Sequence, residues 1–549
     1  MLNIKELKDE IPEEFLSPKE KYESAIKKSC IVSKLIMEKF AADFFGEDAR
    51  FLFQTVHAYM KDMSPFMLHL GMFVPTIMGQ GTQEQQDYWL PRMLSMNIIG
   101  TYAQTELGHG TFLRGLETTA TYDTEKQQFV LHSPTLSSYK WWPGGLGHTA
   151  NYCVVLAQLY TKGQCYGIHP FIIQIRDEET HIPLPGIKVG DIGPKMGFNT
   201  VNNGFLGFDN FRISRDAMLM KNSQVLPDGT YVKSANDKLT YGTMVLIRVN
   251  LVKDSCFHLA RAATIATRYS AVRHQEPEPQ ILDYMTQQHK LFINIATCFA
   301  FSTVGDYLIN KHKELHALAS CLKAVSTSDV AAGVEKCRLA CGGHGYMLSS
   351  NLPMIYALST AMSTYEGEHT VMLLQTARYT HLNHTIFTLF FFLCTFCFFY
   401  CFVIKNNNIF KRAHCRAFIM RSYWSETKRV ATTISPNLRT VLNELAELYL
   451  IYWTIEKTGD LLLFSSLSGK DVSTLQKRYE QLLTLIRPNA VAIVDAFDFR
   501  DELISSTLGS YDGRVYERLM EEAMKSPLNA EPVNQSFHKY LKPFMQGKL

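Results

Sequence analysis

The chain has 549 residues, of which 46% are hydrophobic and 19% are charged, and its formal net charge is +3. This length accommodates three or four domains, and the hydrophobic content is ordinary for a globular protein with a packed core. The charge is nearly balanced, and no lysine- or arginine-rich cluster alternates with aromatic residues. The sequence therefore gives no indication of a nucleic-acid partner.

The 12 cysteines are mostly scattered along the chain. The close sets are Cys337 with Cys341, and Cys394 with Cys397 and Cys401. Neither set is accompanied by a second pair at the spacing of a zinc site, so the sequence predicts no metal site. Single cysteines indicate a reducing compartment. The N-terminus, MLNIKELKDEIPEEF, is charged and lacks the apolar stretch of a signal peptide.

The pattern of apolar and polar residues changes several times along the chain. Residues 1–98 show helical periodicity, 99–235 consist of short β-branched and aromatic runs, and helical periodicity returns in 236–382 and in 413–549. The β region shows no alternation of strands and helices, which argues against a doubly wound sheet. The predicted fold class is α+β, mainly α, with an N-terminal helical domain, a central β domain and C-terminal helical domains.

Residues 383–412 differ from the rest of the chain. The stretch from Ile386 to Ile404 has nineteen residues without a charge, and Lys405, Lys411 and Arg412 follow it. By length and composition this stretch is a candidate membrane span.

Three clusters rich in glycine or aromatic residues could hold a large planar cofactor. They are TYAQTELGHGT with Thr105, KWWPGGLG with Gly144, and CRLACGGHGYMLSSNLP with Gly342 and Gly343. Glycines permit close approach of a ligand to the backbone, and adjacent tryptophans form a rigid wall. Taken singly, the first cluster is explained better by an ordinary turn and the second by a corner of the β core, and the third indicates close approach of the backbone to a ligand or to a neighbouring helix.

The stretch STYEGEHTVMLLQTAR places Glu366 and Glu368 on either side of a glycine, ahead of an apolar helical run. Two interpretations are open from the residues alone. A carboxylate at a helix N-terminus stabilises the helix dipole. Alternatively, one carboxylate is a catalytic base, beside a turn that lets a substrate approach.

In this order, the motifs resemble the acyl-CoA oxidases of peroxisomes, in particular the straight-chain type. The resemblance covers about residues 15–380 and resumes from 413, notably in LLTLIRPNAVAIVDAFDFRDELISSTLGSYDGRVYE. It implies non-covalently bound FAD, a homodimer or a heterodimer with related oxidases, and a peroxisomal location. The implied reaction converts a fatty acyl-CoA to a trans-2-enoyl-CoA, and dioxygen is reduced to hydrogen peroxide. Two alternatives are a catalytically silent or modulatory partner of a full-length oxidase, and an acyl-CoA dehydrogenase with a protein electron acceptor.

The resemblance also implies roles for individual residues. Glu366 occupies the place of the catalytic base, which leaves a structural role at the helix start to Glu368. The implied cofactor-binding residues are Thr105, which bonds the flavin, Gly144 beside its ring, Arg273 and Gln275, which reach the FAD of a partner subunit, and Gly342 and Gly343, which pack on the cofactor across the dimer.

The chain departs from the family in four places: residues 383–412, a shorter loop after Gln275, a late start of the N-terminal helical segment, and the C-terminus. Members of the family continue with a long linker and further helices where this chain has 383–412, for which translated intron, membrane anchor and buried replacement helix are the open interpretations. The C-terminus reads Gly-Lys-Leu, in which Gly547 replaces the serine of the peroxisomal Ser-Lys-Leu signal. The sequence does not fix the preferred length or branching of the acyl chain, nor whether the shortened C-terminal region supports dimerisation and FAD binding.

Overall fold

We describe the fold from a computed structural model of the chain. The structure describes residues 4–7, 9, 11–40, 55–56, 58–233, 242–276, 279–309, 315–382 and 408–547. Helices precede and follow a central curled sheet, which confirms the predicted mainly helical α+β class. The predicted domain boundaries, after residues 98, 235, 382 and 412, stay predictions.

The N-terminal part contains helices α1 (Pro18–Phe40), α2 (Val74–Gln80) and α3 (Gln83–Leu94). Thr82 caps α3 reciprocally: its hydroxyl accepts a hydrogen bond from the Gln85 N–H at 3.2 Å, and the Gln85 side chain accepts one from the Thr82 N–H at 3.0 Å. The Gln85 amide also donates to the carbonyl oxygen of Met218 at 2.7 Å. The start of α3 is thereby fixed to the β region.

The central β region is organised around one long strand, β5 (Tyr152–Thr161). β5 pairs antiparallel with β6 along one edge, and its other edge pairs parallel with β1 in the first half and with β2 in the second half. The sheet continues through β3 to β9, while β4, β8 and β7 form a separate three-stranded sheet. The remaining strands are β1 (Gly100–Ala103), β2 (Thr119–Asp123), β3 (Gln128–His132), β4 (Lys140–Trp141), β6 (Gln164–Gln174), β7 (Ile187–Asp191), β8 (Gly204–Phe208), β9 (Phe211–Ser214), β10 (Gln224–Val225) and β11 (Tyr231–Val232).

β5 is apolar on both faces because each face contributes to a different core. Val155 and Ala157 pack inside the β region, whereas Val154 and Leu156 point to the opposite face, where they pack in one core with Phe73 near the start of α2. This arrangement explains why β5 reads as an almost continuous apolar run instead of an alternating one. It also fixes the helical N-terminal part against the sheet.

The C-terminal half is helical. Its helices are α4 (Gly242–Val272), α5 (Met285–Ile309), α6 (Leu315–Ala340), α7 (Leu352–Met362), α8 (His369–Leu382), α9 (Asn408–Val430), α10 (Pro436–Glu456), α11 (Thr458–Phe464), α12 (Gly469–Ile486), α13 (Ala490–Asp495), α14 (Asp501–Ile504), α15 (Val515–Met524) and α16 (Lys542–Met545). One hydrophobic core joins them on both sides of 383–407: it contains Phe292 and Phe301 of α5, Tyr449 of α10 and Leu482 of α12.

The candidate membrane span Ile386–Ile404 lies outside the described residues. Within the described parts of the chain, one helix, α5, is long and apolar enough to cross a membrane, and 67% of its most apolar window is buried inside the protein. α5 packs against α4, α6, α9, α10 and α12. Its apolar composition is therefore accounted for by its central place in the helical core.

An ion pair connects the helices after residue 407 with those before residue 383. Arg416 of α9 lies with Nη1 2.5 Å from Oδ2 of Asp329 in α6, and the two side chains are 13% and 16% exposed. Arg416 Nη1 also donates to the Tyr449 hydroxyl at 3.1 Å. Because both ions are largely removed from water, each depends on the other for compensation.

We expect Arg416→Met to lower the free energy of unfolding by about 3 kcal/mol, because it leaves Asp329 charged and unpaired in a largely buried place. Denaturant unfolding of the purified protein measures the loss. Arg429→Met is the matched control, because its ion pair with Glu426 is solvent-exposed and should change stability by less than about 1 kcal/mol. Equal effects of the two substitutions would contradict the packing of α9 on α6.

Candidate active site

A cavity of about 2710 Å³ lies where the β region meets the helical parts. Pockets for single small ligands usually measure about 300–1,000 Å³, so this cavity has room for more than one bound molecule. Its wall includes Thr105, Trp142 and Gly144 from the β region, Arg248 from α4, and Glu366 from the loop between α7 and α8. The structure thus brings together four of the residues that the sequence singled out, because Glu368 lines the same cavity as Thr105, Gly144 and Glu366.

Glu366 lies in a loop with an unusual backbone. Its φ is +55°, and φ of the following Gly367 is +105°. Positive φ is uncommon for a residue with a side chain and costs conformational energy. Gly367 cannot be replaced easily, because side chains of L-residues rarely adopt its φ of +105°. The loop turns sharply at these two residues, and the Glu366 side chain lines the cavity.

The electrostatic surroundings of Glu366 act in opposite directions. Burial disfavours the charged carboxylate and raises the pKa of Glu366 above its ordinary value, whereas the nearby Arg248 and Lys323 lower it. The burial effect is the larger one, so the pKa stays raised. Arg248 Nε also donates to the Glu366 carbonyl oxygen at 3.0 Å. A carboxylate with a raised pKa is a stronger base than an ordinary one once it is ionised.

Glu368 has a different environment. Its carboxylate accepts hydrogen bonds from the backbone N–H groups of Thr370 at 2.9 Å and Val371 at 3.3 Å, at the start of α8. Burial alone would raise its pKa, but these hydrogen bonds hold the pKa of Glu368 below its ordinary value. Both residues line the cavity, but their carboxylates differ: that of Glu368 caps a helix and has a lowered pKa, whereas that of Glu366 has no such cap and a raised pKa.

The loop that carries Thr105 is held by a buried ion pair that the sequence analysis missed. Glu106 and Lys140 have fully buried side chains with Oε1 and Nζ 3.0 Å apart. Glu106 also accepts hydrogen bonds from the Thr118 hydroxyl at 2.6 Å and from the N–H groups of Glu117 and Thr118 at 2.8 and 2.9 Å. Because every partner is satisfied, the pair fixes the cavity wall next to Thr105.

Glycine is required at position 144 because there is no room for a side chain. A Cβ at this position would lie 2.5 Å from Val201 Cγ1 and 3.3 Å from Leu68 Cδ1. The Gly144 carbonyl oxygen also accepts a hydrogen bond from the buried Thr101 hydroxyl at 2.7 Å. The two tryptophans that precede Gly144 have different environments. Trp142 is 54% exposed and has a φ of +87°. Trp141 stacks on Phe205, with ring centroids 6.1 Å apart.

Four of the residues singled out in the sequence lie elsewhere. Arg273 and Gln275 follow the C-terminal end of α4, where Arg273 is half-buried and Gln275 is exposed. Gly342 and Gly343 are exposed in a short 3-10 helix, and a Cβ at either would meet no atom within 4 Å. None of the four lines the cavity that contains Glu366. Within one chain, packing does not account for these two glycines.

Three sequence models of known families match the chain. They are described as acyl-coenzyme A oxidase N-terminal (residues 1–99), acyl-CoA oxidase, C-alpha1 domain (241–381), and acyl-CoA oxidase (409–546). The chain is 47% identical to acyl-coenzyme A oxidase 1 of Drosophila melanogaster, with 99% of the chain and 92% of that relative covered. It is 42% identical to peroxisomal acyl-coenzyme A oxidase 1 of Homo sapiens, with 97% and 92% covered.

The solved structures that resemble this chain are acyl-CoA oxidases as well. Acyl-CoA oxidase 1 of Arabidopsis thaliana superimposes with a TM-score of 0.90 at 36% identity, covering 99% of this chain and 94% of that one. Acyl-CoA oxidase-1 of Caenorhabditis elegans, complexed with FAD and ATP, superimposes with a TM-score of 0.89 at 36% identity, covering 100% and 92%. The alignment with the Drosophila protein extends over 622 positions. Because the chain has 549 residues, the relative carries internal residues that this chain lacks.

We expect Gly144→Ala to destabilise the protein by about 1–3 kcal/mol, because the new methyl group overlaps Val201, whose branched side chain cannot move aside freely. Thermal unfolding measures the effect. Gly110→Ala is the matched control: Gly110 lines the same cavity, but a Cβ there meets no atom within 4 Å. The double variant Gly144→Ala with Val201→Ala should recover part of the loss, and an absence of recovery would contradict the steric explanation.

Proposed function

Because the chain belongs to the acyl-CoA oxidase family, we propose that its cavity binds FAD together with a fatty acyl-CoA and that Glu366 is the catalytic base. The enzyme oxidises a fatty acyl-CoA to a trans-2-enoyl-CoA with dioxygen as electron acceptor, in peroxisomal β-oxidation. Hydrogen peroxide is the product formed from dioxygen. The observation that supports the assignment of the base is the uncapped, cavity-facing carboxylate of Glu366 beside the capped Glu368.

The residues around the cavity fit a flavin nucleotide. The volume of about 2710 Å³ exceeds the need of an acyl chain alone, and the walls offer the Thr105 hydroxyl, the backbone at Gly144 and the half-exposed Trp142 ring. We propose that Thr105 and Gly144 contact FAD. When bound, FAD supplies the acceptor for the hydride that leaves the β-carbon and passes the electrons to dioxygen.

Glu366 takes the proton from the carbon next to the thioester carbonyl. This proton is weakly acidic, so the base must be held against it at a fixed distance and angle. The carboxylate must be ionised to accept the proton, and its burial makes it more basic than an exposed glutamate. We propose that the backbone N–H of Glu366 donates to the thioester oxygen, where negative charge develops as the proton leaves.

We propose that the enzyme is a homodimer, or a heterodimer with a related oxidase, in which Arg273, Gln275, Gly342 and Gly343 reach the FAD of the partner subunit. Exposed apolar side chains lie directly after Gly343 in the chain and in residues 511–524, and a dimer interface at this surface would cover them. They include Tyr346, Met347, Leu348, Tyr511, Tyr516, Met520 and Met524. An arginine suits a pyrophosphate because its guanidinium donates two parallel hydrogen bonds.

The location follows from the family, whereas the means of reaching it is a proposal. We propose that the C-terminal Gly-Lys-Leu directs the chain to peroxisomes. For residues 386–404 we keep three interpretations: a membrane anchor, a buried replacement helix and translated intron. Import of a reporter that carries the last residues, with and without Leu549, tests the signal. The silent-partner and dehydrogenase alternatives are not favoured, because the matching relatives are named oxidases.

We expect Glu366→Gln to keep bound FAD and to bind palmitoyl-CoA but to lose turnover by about 10²–10⁴-fold, because an amide cannot accept the proton. Peroxide release under air measures turnover, and the visible flavin spectrum measures cofactor content. Glu368→Gln is the matched variant, and its turnover should fall far less. Retained turnover in Glu366→Gln would assign the base elsewhere, with Glu368 the first candidate.

We expect kcat/KM for palmitoyl-CoA to fall with decreasing pH at a value clearly above 4.5, the ordinary pKa of a glutamate. Burial raises the pKa of Glu366, so the carboxylate becomes protonated and inactive at a higher pH than an ordinary glutamate does. Peroxide release as a function of pH measures this limb, and the stability of the protein over the same range is the control. A limb at or below 4.5 would contradict Glu366 as the base.

A further inference from the structure

Two buried cations hold three consecutive backbone carbonyl groups of the loop that carries Glu366. Lys323 Nζ donates to the carbonyl oxygens of Tyr365 at 2.7 Å and Gly367 at 2.6 Å. Arg248 Nε donates to the carbonyl oxygen between them, that of Glu366, at 3.0 Å. The two cations come from different helices, α6 and α4, so the loop is held from two sides.

This arrangement compensates for a conformation that the chain does not favour. Glu366 and Gly367 both have positive φ, which places their carbonyl groups away from the usual helical and extended partners. A non-glycine residue at positive φ persists only where its surroundings fix it. Hydrogen bonds from charged donors are stronger than neutral ones, and here they flank the strained residue on both sides.

Lys323 is a buried cation that lies near the carboxylates of Glu366 and Glu368 and is hydrogen-bonded to the backbone of the loop. Its side chain is fully buried, and burial lowers its pKa to about 8. A buried ammonium group is unfavourable unless partners compensate for its lost hydration. The charged and titratable groups that act on this region are Glu366, Glu368 and His369 of the loop and α8, Arg248 and Asp254 of α4, Asp329 of α6 and Arg412 of α9. The loop carbonyl oxygens are the contacts that the ammonium makes.

Helix α6 contacts the loop at two further points. The Thr327 hydroxyl lies one turn after Lys323 and 3.1 Å from His369 Nε2. The Ser363 hydroxyl donates to the Thr327 carbonyl oxygen at 3.3 Å. Arg248 Nη1 donates to the Ser320 hydroxyl, one turn before Lys323, at 3.3 Å. One face of α6 therefore supports the loop from Ser363 to His369, with Lys323 at its centre.

We propose that Lys323 is a positioning residue for acyl-CoA oxidation, which fixes the backbone on both sides of Glu366 and so aims its carboxylate at the substrate carbon. This inference rests on the proposed role of Glu366 as the base. Lys323 acts through the loop and is not among the residues that line the cavity. Its positive charge near the carboxylate also favours the ionised form that accepts the proton.

The test compares Lys323→Met, Lys323→Gln and Lys323→Arg as purified flavoproteins. The measurement is the rate at which palmitoyl-CoA reduces the bound flavin in a single turnover without dioxygen, as a function of pH. The affinity for palmitoyl-CoA is measured in the same titration. Lys336→Met is the matched control, because Lys336 lies on the same helix, thirteen residues and about 20 Å further along.

We expect Lys323→Met to hold FAD and bind palmitoyl-CoA within a few-fold of the wild type, but to reduce the flavin about 10²-fold more slowly, because a misplaced base loses much of its effect. The acid limb of the rate should move to higher pH, since a positive charge near Glu366 is gone. In Lys323→Arg, the acid limb should return to the wild-type pH, and most of the rate of flavin reduction should be recovered. Lys323→Gln, which donates hydrogen bonds without charge, should restore part of the rate but not the limb.

A Lys323→Met protein with wild-type rate and an unmoved acid limb would overturn the inference. If Lys323→Met alone fails to hold FAD, the glutamine and arginine variants decide in the same way. Failure of all three to hold FAD would also overturn it, because Lys323 would then be required for the fold and not for the loop. An active Glu366→Gln protein would instead refute the proposed base, whatever the Lys323 variants do.

Discussion

The backbone turn at Glu366 and Gly367 is the constraint on which the candidate site depends. Two consecutive residues at positive φ leave the loop without regular secondary structure, yet the loop carries the carboxylate of Glu366, the proposed base. In most sites, a functional side chain is held in place by the side chains packed around it. Here the carbonyl groups of the backbone itself are bound, by side chains from two core helices. The long helices α4 and α6 thus serve as the rigid frame for a strained turn.

Both walls of the cavity are held by a buried lysine whose charge is compensated by nearby polar groups. On the β side, the buried Lys140 pairs with Glu106 and fixes the loop next to Thr105. On the helical side, the buried Lys323 is compensated mainly by backbone carbonyl groups. Both lysines have a lowered pKa because burial disfavours their charge. Polar anchors of this kind tolerate little displacement, since a half-satisfied buried charge is costly.

The sequence predicted the order of helical and β regions because apolar periodicity is a local signal. It also singled out Thr105, Gly144 and Glu366, which line one cavity although more than 200 residues separate the first from the last. It missed Arg248 and Lys323, because their partners lie 118 and 42–44 residues away along the chain. A lone lysine within an apolar helix gives no indication of which carbonyl oxygens it meets. Arg273 and Gln275 are outside the cavity of their own chain, so their predicted role depends on contact with a partner subunit.

The shared core of α5, α10 and α12 has a consequence for the newly synthesised chain. α5 ends at residue 309, and α10, one of the helices that cover it, begins at residue 436. At ribosomal rates of about 5–20 residues per second, roughly 6–25 seconds pass before that cover has been made. During this interval an apolar helix of 25 residues has part of its surface uncovered. The nascent chain is therefore a natural client for a chaperone that shields apolar helices, and pausing of translation after α5 would lengthen its exposure to aggregation.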